Sequence, residues 1–194
     1  MKPLQALLCQ SGMAEQWKLA NAAIPSNPPN IEQETIQSCL DALSGVIDAV
    51  FLPWVEHRIN LEWLEPADDR LGMTRFDEGP NELIRRRRLR LDPGKITIGL
   101  HPILDLDEAL FRHTFVHEFL HAAGLTLHSK EHDTLTNQLA PPPSLNQSEV
   151  LRHMRQEVLE QLPIQEWTCR SCGHHWKRTT IRTPQRCIKC ARPL

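Results

Sequence analysis

The 194-residue sequence holds no stretch approaching the roughly 18 apolar residues that a membrane-spanning helix needs, so no membrane partner is expected. Met1 to Ala23 also lacks the unbroken apolar core of a signal peptide, because Glu15, Lys18 and several glutamines interrupt it. Export is not expected, and the reading is a cytoplasmic protein. Internal repeats are absent, as is any low-complexity tract beyond Pro141-Pro142-Pro143, which excludes solenoid and fibrous classes. Acid is scarce at one end. From Gln165 to Leu194 seven basic residues face only Glu166, giving +6, so with a total of −2 the preceding residues carry −8. A basic tail on an acidic body points to an anionic partner, most commonly nucleic acid.

What is present is ordinary in bulk. Hydrophobic residues make up 40% and charged residues 24%, as in an average globular protein, and the length suits one cored domain with a small satellite.

The hydrophobic pattern predicts a helix over Leu4–Ala22 and a second from an Asn30 cap to about Leu52. Strand-like pieces follow at Arg58–Trp63, Leu71–Phe76, Arg88–Leu91 and Lys95–Leu100, with Asp92-Pro93-Gly94 as a hairpin turn, implying a small, largely antiparallel sheet. The strongest helix is capped by Asp105 and Glu108 and ends at Gly124. A shorter helix over Ser129–Leu139 comes next, and one capped by Asn146 and Glu149 runs to Pro163. Cys9 and Cys39 read as apolar helix positions.

On the strongest helix stands His117-Glu118-Phe119-Leu120-His121. Histidines four apart on a helix differ by about 40° around the axis and can share one metal ion. Glu118 lies about 100° from His117, placed to act as general base toward a water activated by the metal. A catalytic zinc needs a third protein ligand. His128 is the first choice, with His132 and His113 as competitors, and His101 as a remoter fallback. Six residues separate His121 from His128, and the metzincin pattern would place its third histidine at Leu127, so that pattern fails by one residue.

The tail carries Cys169-x-x-Cys172 and Cys187-x-x-Cys190 with 14 residues between them, one below the usual range for a four-cysteine structural zinc site but ample for two knuckles on a short hairpin. Gly173 and Ala191 follow the second cysteine of each pair, where small residues ease a knuckle turn. Trp167, Trp176, Ile181 and Ile188 are too little apolar mass to fold this segment without metal. Arg170, Lys177, Arg178, Arg182, Arg186 and Lys189, interleaved with the two tryptophans, suit contacts with single-stranded or distorted nucleic acid. The block Arg85, Arg86, Arg87, Arg88 reads as a second phosphate-guiding surface, or as a solvated edge strand.

Taken together, Leu71-Gly72-Met73, Ile96-Thr97-Ile98, His117-Glu118-x-x-His121, His128-Ser129-Lys130-Glu131 and the terminal cysteine pairs resemble the SprT-like metalloproteases, the family that includes the Spartan enzymes, over about Leu71–Leu194. Ser129 stands where the family has glycine, and His132 where it has an aromatic residue. The resemblance implies an α+β fold: a helical zincin-type core with a small antiparallel sheet, plus a zinc ribbon. It implies one catalytic and one structural Zn2+, protein substrates, DNA as partner, and cleavage of DNA-bound or DNA-crosslinked proteins. The organisation expected is an N-terminal helical region over 1–55, a metallopeptidase core over 56–163 and a ribbon over 164–194. The alternative is a non-catalytic DNA-binding adaptor with a structural metal on the helix; Glu118 argues against it.

Overall fold

The computed structural model describes residues 22–194, so the expected helix over 4–22, with Cys9, falls outside them apart from Ala22. Among the described residues the architecture is mixed α+β with six α-helices and two small sheets, in two compact units, one up to Val150 and one from Leu151.

In the first unit α1 (Gln33–Leu43) and α2 (Leu52–Arg58) replace the single helix expected from Asn30 to Leu52. Gly45 and the turns after Leu43 break it, and Pro53 sits where a new helix tolerates proline, in its first turn. Cys39 is fully buried on α1, and burial pushes its thiol up to about 12, so it behaves as an apolar group.

Strand β1 (Ile59–Trp63) leads through a loop to β2 (Gly72–Phe76), and β3 (Ile96–Leu100) lies between them. β1 pairs parallel to β3, Ile59 opposite Ile96, whereas β2 runs antiparallel, Gly72 opposite Leu100 and Phe76 opposite Ile96. The sheet is therefore mixed, not largely antiparallel. All five residues of β3 are buried, so the strand is covered on both faces. A Cβ on Gly99 would run into Leu64, which packs over the strand.

Arg88–Leu91 is not a strand. Residues Pro80–Leu89 form helix α3, with Pro80 in its first turn. Acids offset the mutual repulsion of the arginines: Glu82, one turn earlier, meets Arg85 and Arg86, both at 2.9 Å, and Glu78, ahead of the helix, meets Arg86 at 2.9 Å. Arg90 ends the helix in the left-handed region, and the Leu91 N–H returns to the Arg86 carbonyl at 2.9 Å. Asp92-Pro93-Gly94 thus joins a helix to β3 and is no hairpin.

A 3-10 turn (Pro102–Leu106) precedes α4 (Glu108–Ala123), the helix that bears the histidine motif. Its cap is Asp107, whose Oδ1 accepts from the Leu110 N–H at 3.0 Å, and not Asp105, which lies inside the 3-10 turn. Phe115, Val116, Phe119, Leu120, Ala122 and Ala123 are all buried, on more than one face, as befits a helix covered by both sheet and helix neighbours. Gly124 ends it at φ +120°, where a Cβ would stand 2.8 Å from the Asp48 carbonyl. Helix α5 (Lys130–Leu139) lies where the sequence predicts a short helix, and Ser129 caps it, its side chain accepting from the His132 N–H at 3.2 Å.

The second unit contains most of α6 (Glu149–Gln161), which starts three residues after the expected Asn146, and the hairpin β4 (Glu166–Thr168) and β5 (His175–Lys177). Arg155 donates to the Thr179 carbonyl at 2.5 Å, and the Gln165 amide to carbonyls at the end of α6, joining helix and hairpin. Its buried residues are few: Leu159, Cys169 and Cys187, with Ile164, Ile181 and Ile188 exposed.

Candidate functional site

Helix α4 places His117 and His121 one turn apart, and the loop after Gly124 returns the chain so that His128 meets them. The Nε2 atoms of the three form a near-equilateral triangle: His117 to His128 3.1 Å, His121 to His128 3.1 Å, His121 to His117 3.2 Å. His121 is aimed by its other nitrogen, since Nδ1–H donates to the Leu125 carbonyl at 2.7 Å and leaves Nε2 free to ligate.

His132 is a fourth imidazole in the cluster. A ligand nitrogen of His117, of His121 and of His132 also lie within 4.8 Å of one another, so this second triple competes on distance. The ring of His132 is fully buried and packs flat on His121, centroids 4.4 Å apart, with its Nε2 3.3 Å from the His117 carbonyl and its Nδ1 without a hydrogen-bond partner. His128 is on the exposed side and points Nε2 at both helix histidines, so the tighter triangle is the better nest for an ion. Burial, then the neighbouring imidazoles of His132, His121 and His128, pulls His117 down to about 4, and burial likewise lowers His132. Both rings are thereby held neutral, the form that ligates.

The remaining histidines weighed as ligands have structural work. His113 Nδ1 bonds to the Ala140 carbonyl at 2.7 Å. His101 accepts from the Ile103 N–H through Nδ1 at 3.1 Å and faces the Pro66 carbonyl through Nε2 at 3.3 Å.

Glu118 is buried against β2. Gly72 and Thr74, two apart on the strand, share the face turned to α4. Thr74 Oγ1 donates to Glu118 Oε2 at 2.8 Å and lies equally close to the Glu118 carbonyl. A Cβ on Gly72 would stand 2.8 Å from Glu118 Oε1, so only glycine lets the carboxylate lie there. Burial raises the Glu118 pKa and the Thr74 bond pulls the other way. Thr74 was not legible as a site residue; its only sequence signal is its place two residues beyond Gly72.

In the second unit the four cysteine sulfurs converge, Cys169 Sγ 3.7 Å from Cys190 Sγ and Cys172 Sγ 3.8 Å from Cys187 Sγ, far beyond a disulfide bond. The two knuckles repeat each other. Gly173 N–H returns to the Cys169 carbonyl at 2.9 Å with φ +67°, and Ala191 N–H to the Cys187 carbonyl at 3.0 Å with φ +56°. Against its desolvation, the Cys172 and Ser171 N–H groups pull the Cys169 thiol down to about 6, toward the thiolate that a metal requires. Both clusters can hold a metal ion.

The cations expected at a nucleic-acid surface divide into two sets. Arg85 and Arg86 are paired with Glu82 and Glu78, and Arg87 donates to Thr126 Oγ1 at 2.5 Å. Arg178 spends its guanidinium on the carbonyls of Ile164, Thr180 and Ile181 and lies over the Trp167 ring, while Arg186 donates to the Ala191 carbonyl at 3.2 Å. Arg88, Arg170, Lys177, Arg182 and Lys189 carry no ion pair or side-chain hydrogen bond among the described residues. In the second unit, Arg170, Lys177, Arg182 and Lys189 are all exposed.

Removing His128 should cost far more metal affinity at the helix site than replacing His132. His128→Ala is expected to weaken binding at least 100-fold, and His132→Phe by no more than about tenfold, the scale of a residue behind the ligands. Competition titration against a chelator measures both; a larger loss for His132→Phe would assign the third position to His132.

Comparison with family models, with curated proteins and with solved structures finds no match for this chain.

Proposed function

We propose that the chain is a zinc-dependent endopeptidase of the SprT-like kind, acting on proteins held at DNA. The observation that carries this is the Nε2 triangle of His117, His121 and His128, open on the His128 side, with the buried carboxylate of Glu118 on the same helix. Tetrahedral zinc with imidazole ligands at about 2.0–2.1 Å sets neighbouring nitrogens about 3.3–3.4 Å apart, close to the 3.1–3.2 Å observed. The same arithmetic for thiolates at about 2.3 Å gives an edge of about 3.8 Å, against 3.7 and 3.8 Å for the cysteine pairs. The residues present therefore fit a zinc at each cluster, one with three nitrogen ligands and a free position and one closed by four sulfurs.

When bound at the histidines, zinc supplies a Lewis acid that polarises a peptide carbonyl and makes a water acidic. Glu118 takes the proton from the attacking water at Oε1, because Oε2 is held by Thr74, and later delivers it to the leaving amine. The raised pKa of Glu118 makes that proton easier to keep between the two steps. Beside it, β2 is an edge strand among the described residues, and its outer hydrogen-bonding groups suit an extended polypeptide laid along the sheet. Such main-chain recognition is indifferent to side-chain sequence, so selectivity falls to localisation. Arg170, Lys177, Arg182 and Lys189 support the DNA-directed part, as exposed cations in a segment with one acid.

Two variants separate base from ligand. Glu118→Gln is expected to keep its metal and lose cleavage of a denatured or DNA-bound protein by 100-fold or more. Gly72→Ala should also lower cleavage, by up to about 100-fold through displacement of Oε1, with metal content unchanged. Wild-type cleavage by Glu118→Gln would remove the proposed base. For the DNA-directed part, Arg170, Lys177, Arg182 and Lys189 changed together to Gln should flatten the salt dependence of oligonucleotide binding, by roughly 0.9 in slope for each lost phosphate contact on duplex. Coincident salt curves would withdraw DNA targeting and leave the peptidase reading standing.

A further inference from the structure

We infer that Arg87 is a positioning residue of the histidine centre: its guanidinium ties down the loop that delivers His128. The inference rests on the proposed reading of His128 as a ligand. The loop runs from Gly124 to Ser129, between α4 and α5, and its last part is poorly held. Thr126, Leu127 and His128 are exposed, and the backbone bonds from Thr126 N–H to the Gly124 carbonyl, 2.9 Å, and from Ser129 N–H to the Leu127 carbonyl, 2.8 Å, stay within the loop. Its start is fixed better, by Leu125 N–H on the Leu120 carbonyl at 3.0 Å and by His121 Nδ1 on the Leu125 carbonyl.

Between that fixed start and His128, the side-chain tether among the described residues is Arg87 Nη1 to Thr126 Oγ1, 2.5 Å. The second arm of the same guanidinium, Nη2, lies 3.7 Å from Asp48 Oδ1. Asp48 belongs to the turn whose backbone comes so close to Gly124 that a Cβ there would be 2.8 Å from the Asp48 carbonyl. Arg87 thus spans the turn that backs Gly124 and the residue two before the ligand. It is about one third exposed, at 31%, and lies at the C-terminal end of α3, held in place by a helix. The sequence offers Arg87 as one of four equivalent cations in a phosphate-guiding block; in the fold it is the one that reaches the metal loop.

The physical consequence is preorganisation. A loop already ordered in the metal-free protein gives up less conformational entropy when the ion binds, so its tether appears as metal affinity and slower metal loss rather than as global stability. A lone partly exposed contact of this kind adds little to folding itself. Lysine cannot replace it, because one ammonium cannot span the two acceptors that a planar fork reaches.

The test uses the full chain with zinc as probe. Arg87→Ala and Thr126→Val are each expected to lower zinc affinity at the histidine site about tenfold, the scale for residues behind the ligands, and the double variant to lower it no further, since both remove one contact. Arg87→Lys should recover only part of the loss. In the metal-free proteins, amide hydrogen exchange at Thr126–Ser129 should speed up in both single variants while the thermal midpoint stays close to wild type. Unchanged exchange in the metal-free variants would overturn the tether even with the histidine centre intact. A loss in Arg87→Ala that Thr126→Val does not reproduce would also overturn it, by assigning the effect to charge. A wild-type chain that takes up no zinc at the histidines removes the centre and the inference with it, an outcome read from metal content alone.

Discussion

Helix α4 must bring two imidazoles to one point and also bury the carboxylate that stands between them in sequence, and much of the first unit answers that demand. A buried carboxylate is costly unless it is hydrogen-bonded, and one strand face accommodates it: Thr74 donates to Oε2, while Gly72 leaves space for Oε1. For those two residues to face α4, β2 must lie at the edge of the sheet beside the helix, paired antiparallel to β3. The buried central strand and its apolar cover then hold β2 and α4 in fixed relation. The position of the proposed base is thus a property of strand register as much as of the helix motif.

The two metal-competent clusters sit in units of different physical character. The histidine cluster is lodged in a unit with its own core, so its geometry is set by packing, down to the His121–Leu125 and His132–His117 bonds behind the ligands. The cysteine cluster belongs to a unit whose buried apolar mass is small. There the four sulfurs do the work of a core, and on the proposed reading loss of that ion unfolds the second unit, whereas loss of the other leaves the first standing.

Much of this was legible in residues, and what was not has identifiable causes. The spacing of His117 and His121, the cysteine pairs, the Gly124 stop and the short helix up to Leu139 are local signals, and the structure places each as the sequence predicts. The arginine block misled because a charged run has no apolar period; its helix is supported by Glu82 one turn earlier, by Glu78 just ahead of the helix and by the Arg90 left-handed cap. Parallel pairing of β1 with β3 was invisible, since register between strands more than thirty residues apart leaves no local trace. The Asp105/Glu108 box competed with Asp107 as cap, and the 3-10 turn decided it. That His128 and His132 both meet the helix histidines while His113 turns to Ala140 depends on the loop geometry after Gly124, which no spacing encodes.

The central claim, an open three-nitrogen zinc centre in the first unit and a closed four-sulfur one in the second, is tested most directly by zinc K-edge X-ray absorption on the full chain loaded with zinc. The account predicts two zinc ions per chain and two resolved shells, about 2.3 Å for sulfur and about 2.0 Å for nitrogen and oxygen, with equal weight. His121→Ala should then remove the shorter shell and leave the sulfur shell intact. One zinc per chain with a sulfur shell alone would contradict it, because the histidine triangle would then hold no metal and the proposed chemistry at Glu118 would have no electrophile.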